Sequence, residues 1–192
     1  QRRRAAAPPS PPSVAQHLTI MDVPSGAILD CEDCNTPIPP ASMSKLMTVL
    51  IVLERLQAGD ITLDTQYTVS EYAWRDHGAP SGGSHMFLPI NSQVSVRDLL
   101  RGAIIVSAND ACVVLAEGIA GSEGAFVDIM NRRAQELGLT SAHFRNATGV
   151  DAENHRISSA DLARLARHLM TTYPEYYRIY SEREFSFGNR TQ

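Results

Sequence analysis

The chain has 192 residues, of which 43% are hydrophobic and 20% are charged, and its formal net charge is −4. This length and composition are typical of a globular protein of one domain or slightly more, with a substantial core. The positive residues are scattered over an acidic chain, which argues against nucleic acid or an anionic membrane surface as the main partner.

The first residues differ in composition from the rest of the chain. Residues 1–13 have the sequence QRRRAAAPPSPPS, which lacks the apolar core of a signal peptide. Such a segment cannot bury apolar surface, so residues 1–15 are predicted to be a disordered leader or linker. The folded domain is predicted to occupy residues 16–192, and no apolar run reaches the roughly 18 residues of a membrane span.

A hairpin followed by a long apolar helix is predicted next. Residues 17–23 and 27–30 have strand character and flank the turn sequence Pro24-Ser25-Gly26. Residues 41–58 have helical character, and apolar side chains cover nearly every face of this helix. A helix that is apolar all round is buried on all sides. We therefore expect it at the centre of the domain, under an antiparallel sheet that the hairpin begins.

The remainder of the chain has mainly helical patterns. Residues 60–94 are mixed, with a short strand pattern at 66–69 and a glycine-rich loop at 78–84. The further predicted elements are helices at 95–106, 110–119, 122–138 and 162–171, the last with a capping box of Ser158 and Asp161, and a weak strand at 183–187. Together these patterns predict a mixed α/β domain.

Three cysteines occur, at Cys31, Cys34 and Cys112. The spacing of the first two is compatible with a redox pair, half of a zinc site, or loop cysteines that either pair or stay free. No second cysteine pair completes a zinc site, and the two acidic residues between them disfavour a thiolate, so loop cysteines are the favoured interpretation. Cys112 lies in an apolar helix and is predicted to belong to the core.

Lys45 is the only lysine of the chain, and all sixteen other basic residues are arginine. It follows Ser42 by three positions at the start of the apolar helix, which places both side chains on one face. A serine hydroxyl needs a neighbouring base to become nucleophilic, and burial converts a lysine into such a base by lowering its pKa. Arginine cannot lose its proton in a protein. The pair therefore predicts a serine nucleophile with a lysine base.

A second polar element, Ser107-Ala108-Asn109, interrupts two apolar helical patterns. The Ser107 hydroxyl can pass a proton between Lys45 and a leaving group, and the Asn109 amide can hold a substrate amide. Purely structural interpretations stay open for the same residues. Ser42 can be a first-turn cap, Lys45 can extend its amine to solvent, and Ser107 and Asn109 can cap the following helix.

The sequences PASMSKLMT at residues 40–48 and SAND at residues 107–110 resemble two of the three signatures of penicillin-binding proteins and serine β-lactamases. With flanking sequences such as Thr148-Gly149-Val150-Asp151, the chain is most similar to the low-molecular-mass D-alanyl-D-alanine carboxypeptidases. The resemblance extends from about residue 16 to the last residue.

The resemblance implies a β-lactamase/transpeptidase-like α/β (α+β) fold, in which an antiparallel sheet has helices on both faces and a helical subdomain. It implies a serine-type D-alanyl-D-alanine carboxypeptidase. The implied site residues are the acyl-ester nucleophile Ser42, the general base Lys45, the proton relay Ser107, the substrate contact Asn109, and Gly83 and Ser84 at the border of the cleft.

The implied substrate is a peptidoglycan stem peptide that ends in D-Ala-D-Ala, and β-lactam antibiotics would acylate the same serine. The resemblance implies no metal, no other cofactor and no nucleic-acid partner. The implied location is periplasmic or otherwise extracytoplasmic in a bacterium, with any membrane anchor outside this chain.

The third signature of the family, Lys-Thr-Gly on a strand that lines the cleft, is absent because Lys45 is the only lysine. In relatives it lies somewhat downstream of the segment that matches residues 185–192. We therefore expect the sheet to be incomplete in this chain. We also expect the 192 residues alone to be poorly stable and to have little carboxypeptidase activity.

Two other functions are compatible with the sequence. A class A β-lactamase shares Ser-x-x-Lys, but it normally has Ser-Asp-Asn in place of Ser107-Ala108-Asn109 and a glutamate that activates the deacylating water. Glu153 lies in a comparable loop, but the surrounding spacing does not match. A non-catalytic penicillin sensor would be acylated or merely occupied without turnover. Turnover of a D-alanyl-D-alanine peptide, of a β-lactam, or of neither distinguishes the three functions.

Overall fold

The computed structural model describes residues 16–192, so the leader predicted at residues 1–15 lies outside the described residues. The strands are, in chain order, β1 (Leu18–Met21), β2 (Ile28–Glu32), β3 (Gln66–Thr68), β4 (Gln93–Ser95), β5 (Ser186–Phe187) and β6 (Arg190–Thr191). The helices are α1 (Lys45–Ala58), α2 (Glu71–His77), α3 (Val96–Ile105), α4 (Asn109–Ala120), α5 (Glu123–Glu136), α6 (Ser159–Thr172) and α7 (Pro174–Tyr177). Short 3₁₀ turns occupy Ala41–Ser44, Ala79–Ser81 and Arg178–Ser181.

Helix α1 lies at the centre of the described domain. It follows a 3₁₀ turn and ends at Gly59, whose left-handed φ of 78° lets its N–H close on the carbonyls of the last turn. Leu50 and Leu53 are 0% and 2% exposed, because α3, α4, α5 and α6 pack around the helix. The predicted burial is confirmed. The prediction that an antiparallel sheet covers α1 is wrong for the described residues. Helices surround α1, and the β1–β2 hairpin packs on α6 instead.

The strands of the described residues form three antiparallel pairs, β1 with β2, β3 with β4, and β5 with β6. Leu18 lies opposite Glu32 in the first pair, which confirms the predicted hairpin. Of the weak strand predicted at 183–187, Ser186 and Phe187 form β5, and Phe185 extends the pairing by exchanging two backbone hydrogen bonds with Gln192. Helix α2 and strand β4 have no counterpart in the sequence prediction, because residues 60–94 show neither the helical nor the strand period clearly.

Serine side chains cap four helices, α2, α3, α5 and α6, at Ser70, Ser95, Ser122 and Ser158. One half of the capping box predicted for α6 is confirmed, since Ser158 Oγ accepts the Asp161 N–H at 3.1 Å. The other half is replaced by a tertiary contact, because the Asp161 carboxylate accepts the Ser141 N–H at 3.0 Å. This contact joins the start of α6 to the segment that follows α5.

Cys31 and Cys34 form a disulfide at the end of the hairpin, so the two cysteines are paired, and the interpretations as half of a zinc site or as free thiols are wrong. Cys112 is a free thiol that is completely buried in α4, as predicted. Among residues 16–192, no helix combines the length and the apolar character that crossing a membrane requires.

Leu50→Ala should lower the free energy of unfolding by about 2–5 kcal/mol, because it removes a buried side chain and leaves a cavity between α1 and the helices around it. Leu29→Ala on β2 is the matched control, since this side chain is 66% exposed. The control should change the free energy of unfolding by no more than about 0.5 kcal/mol. Urea unfolding of both variants measures the difference, and equal losses would contradict the central position of α1.

Candidate active site

Ser42 lies in the tight turn that precedes α1 and is exposed to solvent. The Pro40 carbonyl accepts the Met43 N–H at 3.2 Å and closes this turn. Ala41 has a φ of 51°, which is uncommon for a residue that carries a Cβ. The sequence predicts Ser42 in the first turn of the α-helix itself, whereas the structure places it in the 3₁₀ turn directly before it.

Lys45 begins α1, and its amine points back toward Ser42. The Nζ atom lies 3.3 Å from Ser42 Oγ, and it donates a hydrogen bond of 2.7 Å to the Thr148 carbonyl. The residue is only 5% exposed. The structure therefore brings the two side chains together and keeps the amine from extending to solvent.

Burial lowers the pKa of Lys45, because removing the amine from water disfavours its charged form. The nearby Cys112 opposes this shift only when it is a thiolate. Burial raises the pKa of Cys112 to about 12, so the thiol is neutral near pH 7. A neutral thiol does not raise the pKa of Lys45. A neutral amine 3.3 Å from a serine hydroxyl can accept its proton.

A cleft of about 250 Å³ opens beside this pair. Its wall includes Ser42, Lys45, Ala103, Ile104, Ser107 and Tyr180. Ser107 follows α3 with a φ of 56° and borders the same space as the other two polar side chains. The structure thus brings together the three residues that the resemblance implies to be nucleophile, base and proton relay. Among residues 16–192, no cluster of three or more His, Cys, Asp or Glu side chains is placed to hold a metal ion.

The remaining predicted residues form a neighbouring cluster at the start of α4. The Asn109 N–H donates to the Ser84 carbonyl at 2.8 Å. A Cβ added at Gly83 would lie 3.2 Å from Asn109 Nδ2, so the loop passes close to this amide. Ala108 is the N-cap residue of α4 and no side chain caps it. The interpretation of Ser107 and Asn109 as capping residues is therefore wrong.

Asp110, which the sequence analysis does not single out, ties the loop of this cluster to α4. Its carboxylate is completely buried and accepts N–H groups from Met86 at 3.1 Å, Leu88 at 3.2 Å and Ala111 at 2.9 Å. Burial raises the pKa of Asp110, and these N–H groups act in the opposite direction. An acidic residue in the first turn of an apolar helix is the signal that points to it.

A turn held by the Asn146 side chain provides the second hydrogen-bond partner of the Lys45 amine, besides Ser42. The Asn146 side chain accepts the Gly149 N–H at 2.8 Å and donates to the Val150 carbonyl at 2.9 Å. This turn presents the Thr148 carbonyl to the buried amine. A Cβ at Gly149 would lie 2.0 Å from the Ala41 carbonyl oxygen, so only glycine fits there. The sequence of this segment is part of the family resemblance, but no local pattern in it predicts these contacts.

The family model of the D-alanyl-D-alanine carboxypeptidases matches residues 4–192. The chain belongs to this family. It is 41% identical over 184 residues to the carboxypeptidase DacA of Haemophilus influenzae, a match that covers 95% of the chain. It is also 41% identical over 186 residues to the carboxypeptidase DacD of Escherichia coli, which covers 96% of the chain.

Solved structures of similar proteins share the fold of this carboxypeptidase-family chain. Penicillin-binding protein 5 of H. influenzae matches with a TM-score of 0.90 and 40% identity, over 96% of this chain and 54% of that one. Penicillin-binding protein 6B of E. coli matches with a TM-score of 0.89 and 40% identity, over 96% and 59%. The predicted family and the predicted β-lactamase/transpeptidase-like α+β fold are confirmed.

The carboxypeptidase-family chain spans about half the length of the curated relatives it matches, namely 46% of the H. influenzae DacA and 48% of the E. coli DacD. The family assignment is made for these 192 residues, because the family model matches residues 4–192. The activity, substrates and partners of the whole protein are inferred from the site.

Gly149→Ala should lower the free energy of unfolding by about 1–3 kcal/mol more than Gly121→Ala does. Both glycines have a φ of 88°, so both substitutions place an alanine in the left-handed region. A Cβ at Gly121 meets open space, whereas a Cβ at Gly149 meets the Ala41 carbonyl. Parallel chemical denaturation gives the difference, and equal losses would show that the Asn146 turn does not press on the Ser42 turn.

Proposed function

We propose that the protein is a serine-type D-alanyl-D-alanine carboxypeptidase that removes the terminal D-alanine from peptidoglycan stem peptides. The observation that carries this proposal is the buried Lys45 amine 3.3 Å from the exposed Ser42 hydroxyl, in a chain of the carboxypeptidase family. The relatives named above are D-alanyl-D-alanine carboxypeptidases, which supports the same reaction. The proposed chemistry needs no metal and no organic cofactor.

Acylation begins with Lys45 in its neutral form. The amine accepts the Ser42 proton as Oγ attacks the carbonyl carbon of the penultimate D-alanine, and the carbonyl electron pair moves onto oxygen. When the carbonyl re-forms, the carbon–nitrogen bond breaks. The proton passes from Lys45 through Ser107 to the amine of the departing D-alanine. Lys45 is then neutral again, and Ser42 holds an acyl ester.

Deacylation uses the same groups with water as the nucleophile. Lys45 accepts a proton from water, directly or through Ser107, as the water oxygen attacks the ester carbonyl. The bond between carbon and Ser42 Oγ breaks, and the proton returns to Oγ. Asn109, with Gly83 and Ser84 beside it, is proposed to hold the amide of the peptide while these steps occur.

The same first step would make the protein a target of β-lactams. The lactam amide bond takes the place of the peptide bond, and Ser42 Oγ opens the ring. The leaving nitrogen remains covalently attached to the acyl group, so it stays in the cleft where water must approach. The acyl ester formed from a β-lactam is therefore proposed to be longer-lived than the ester formed from a peptide.

An extracytoplasmic location in a bacterium is part of the proposal. Peptidoglycan of the cell wall lies outside the cytoplasmic membrane, so the enzyme must meet its substrate there. The Cys31–Cys34 disulfide supports this location, because disulfides persist mainly in oxidising compartments.

Ser42→Ala should abolish the covalent adduct with penicillin, and Lys45→Arg should slow its formation at least about 100-fold, because arginine keeps the charge but supplies no neutral base. Ser186→Ala, at an exposed serine on β5, is the control and should leave the adduct unchanged. Intact-mass spectrometry of the full-length protein measures adduct formation. An adduct that persists in Ser42→Ala would refute the assignment of the nucleophile.

The turnover of two substrates separates the proposed function from its alternatives. Release of D-alanine from a D-alanyl-D-alanine peptide, with slow β-lactam hydrolysis, is the expected result. Rapid hydrolysis of the β-lactam without release of D-alanine would identify a β-lactamase. Acylation without turnover of either substrate would identify a penicillin sensor.

The acylation rate constant should rise with pH as Lys45 loses its proton, and it should level off below the ordinary lysine pKa of about 10.4, because burial lowers this pKa. The unfolded chain binds the same proton more tightly. The buried lysine therefore lowers the free energy of unfolding at neutral pH, and the loss is recovered as pH rises toward the ordinary value. Stopped-flow acylation and urea unfolding across this pH range test both trends, and a flat rate profile would contradict the role of Lys45.

A further inference from the structure

A buried chain of hydrogen bonds connects His155 to the turn that carries Ser42. His155 and Ser44 are 1% and 0% exposed. The Arg145 N–H lies 2.9 Å from His155 Nδ1, and His155 Nε2 lies 2.8 Å from Ser44 Oγ. Ser44 Oγ donates in turn to the Ala41 carbonyl at 2.6 Å. This series of hydrogen bonds therefore ends at the carbonyl of the peptide bond that joins Ala41 to Ser42.

The chemistry of these groups determines the direction of every bond. A backbone N–H can only donate, so His155 Nδ1 must accept from Arg145 and carry no proton. The Ser44 proton is used on the Ala41 carbonyl, so Ser44 Oγ accepts from His155 Nε2–H. The imidazole is therefore neutral and protonated on Nε2. Burial lowers the pKa of His155, because it disfavours the charged ring, and this favours the neutral imidazole.

The hydrogen-bond chain ends at a strained backbone position directly before the nucleophile. Ala41 has a φ of 51°, a conformation that costs roughly 1–2 kcal/mol for a residue with a Cβ. Such a conformation persists only where the surroundings hold it. Ser44 holds the Ala41 carbonyl through its hydrogen bond, and Gly149 packs directly on the same oxygen. If the hydroxyl is removed, the Ala41 peptide can relax, and Ser42 moves with it.

We propose that His155 and Ser44 are positioning residues that hold the Ser42 hydroxyl in line with Lys45 by fixing the Ala41 carbonyl. This inference rests on the proposed function of the same site. One segment, residues 145–157, then controls both reacting groups: Thr148 holds the amine, and His155, through Ser44, holds the turn of the hydroxyl.

The test compares Ser44→Ala, His155→Leu and the double variant in the full-length protein. Each single variant should lower the first-order rate constant for acylation by a fluorescent penicillin about 10–100-fold, because a displacement near 1 Å at a reacting atom has an effect of this size. The apparent affinity of the preceding non-covalent complex should stay unchanged. The double variant should be no slower than the slower single variant, since both substitutions break one chain of bonds.

Two further variants separate positioning from general loss of structure. His155→Gln retains an N–H donor near the position of Nε2 and should recover part of the lost rate. Ser158→Ala removes a buried serine, 2% exposed, that caps α6 and is not among the residues that line the cleft. It should lower the melting temperature and leave the acylation rate unchanged.

Acylation within twofold of wild type in a folded Ser44→Ala variant would overturn the proposal, and so would additive losses in the double variant. A readout without substrate covers the case in which the wild type forms no adduct and the proposed function fails. Nitrogen NMR of the His155 ring should show a protonated Nε2 and a bare Nδ1, and Ser44→Ala should shift the Ser42 amide signal. A ring protonated on Nδ1, or an unshifted amide, would overturn the positioning role by itself.

Discussion

The structure of this domain depends on keeping the amine of Lys45 buried. An exposed lysine would stay charged and could not accept a proton from Ser42, so the amine must be surrounded by protein. Its place in the first turn of α1 acts in the same direction, because the positive end of a helix dipole disfavours a cation. Enclosure also requires hydrogen-bond partners, which the Thr148 carbonyl and the Ser42 hydroxyl provide. Four helices around α1 supply the enclosure, and the turn before α1 leaves the hydroxyl in solvent.

Backbone strain lies on the two turns that carry hydroxyl groups into the cleft. Ala41, directly before Ser42, and Ser107 both have left-handed φ angles, of 51° and 56°. Strained residues of this kind persist where surrounding contacts hold them, and they are often found at functional sites. Ser44 and Gly149 hold the first turn. The turn that contains Ser107 is held by a hydrogen bond of 3.1 Å from the Ala108 N–H to the Gly102 carbonyl.

Local sequence patterns predict most of the helices correctly, but they do not predict what packs against them. The predicted helices at 95–106, 110–119 and 122–138 agree with α3, α4 and α5 within two residues at each end, because apolar periodicity and serine caps are local features. The apolar pattern of α1 shows that this helix is buried, but it contains no information about the element that covers it. The expectation of a covering sheet failed for that reason. Helix α2 and strand β4 were missed because their residues show no dominant period.

The sequence by itself determined the Ser42–Lys45 pair, since residues three apart in a helical turn are neighbours whatever the remainder of the chain does. The single lysine and the SAND sequence then pointed to the family. Only the tertiary structure decided what holds the pair in place. The Thr148 carbonyl is 103 positions from Lys45, and His155 is 111 positions from Ser44. Every residue has a backbone carbonyl, so no residue type marks the one that binds the amine. The donor and acceptor roles of a histidine are likewise undetermined until the two atoms that face its ring nitrogens are known.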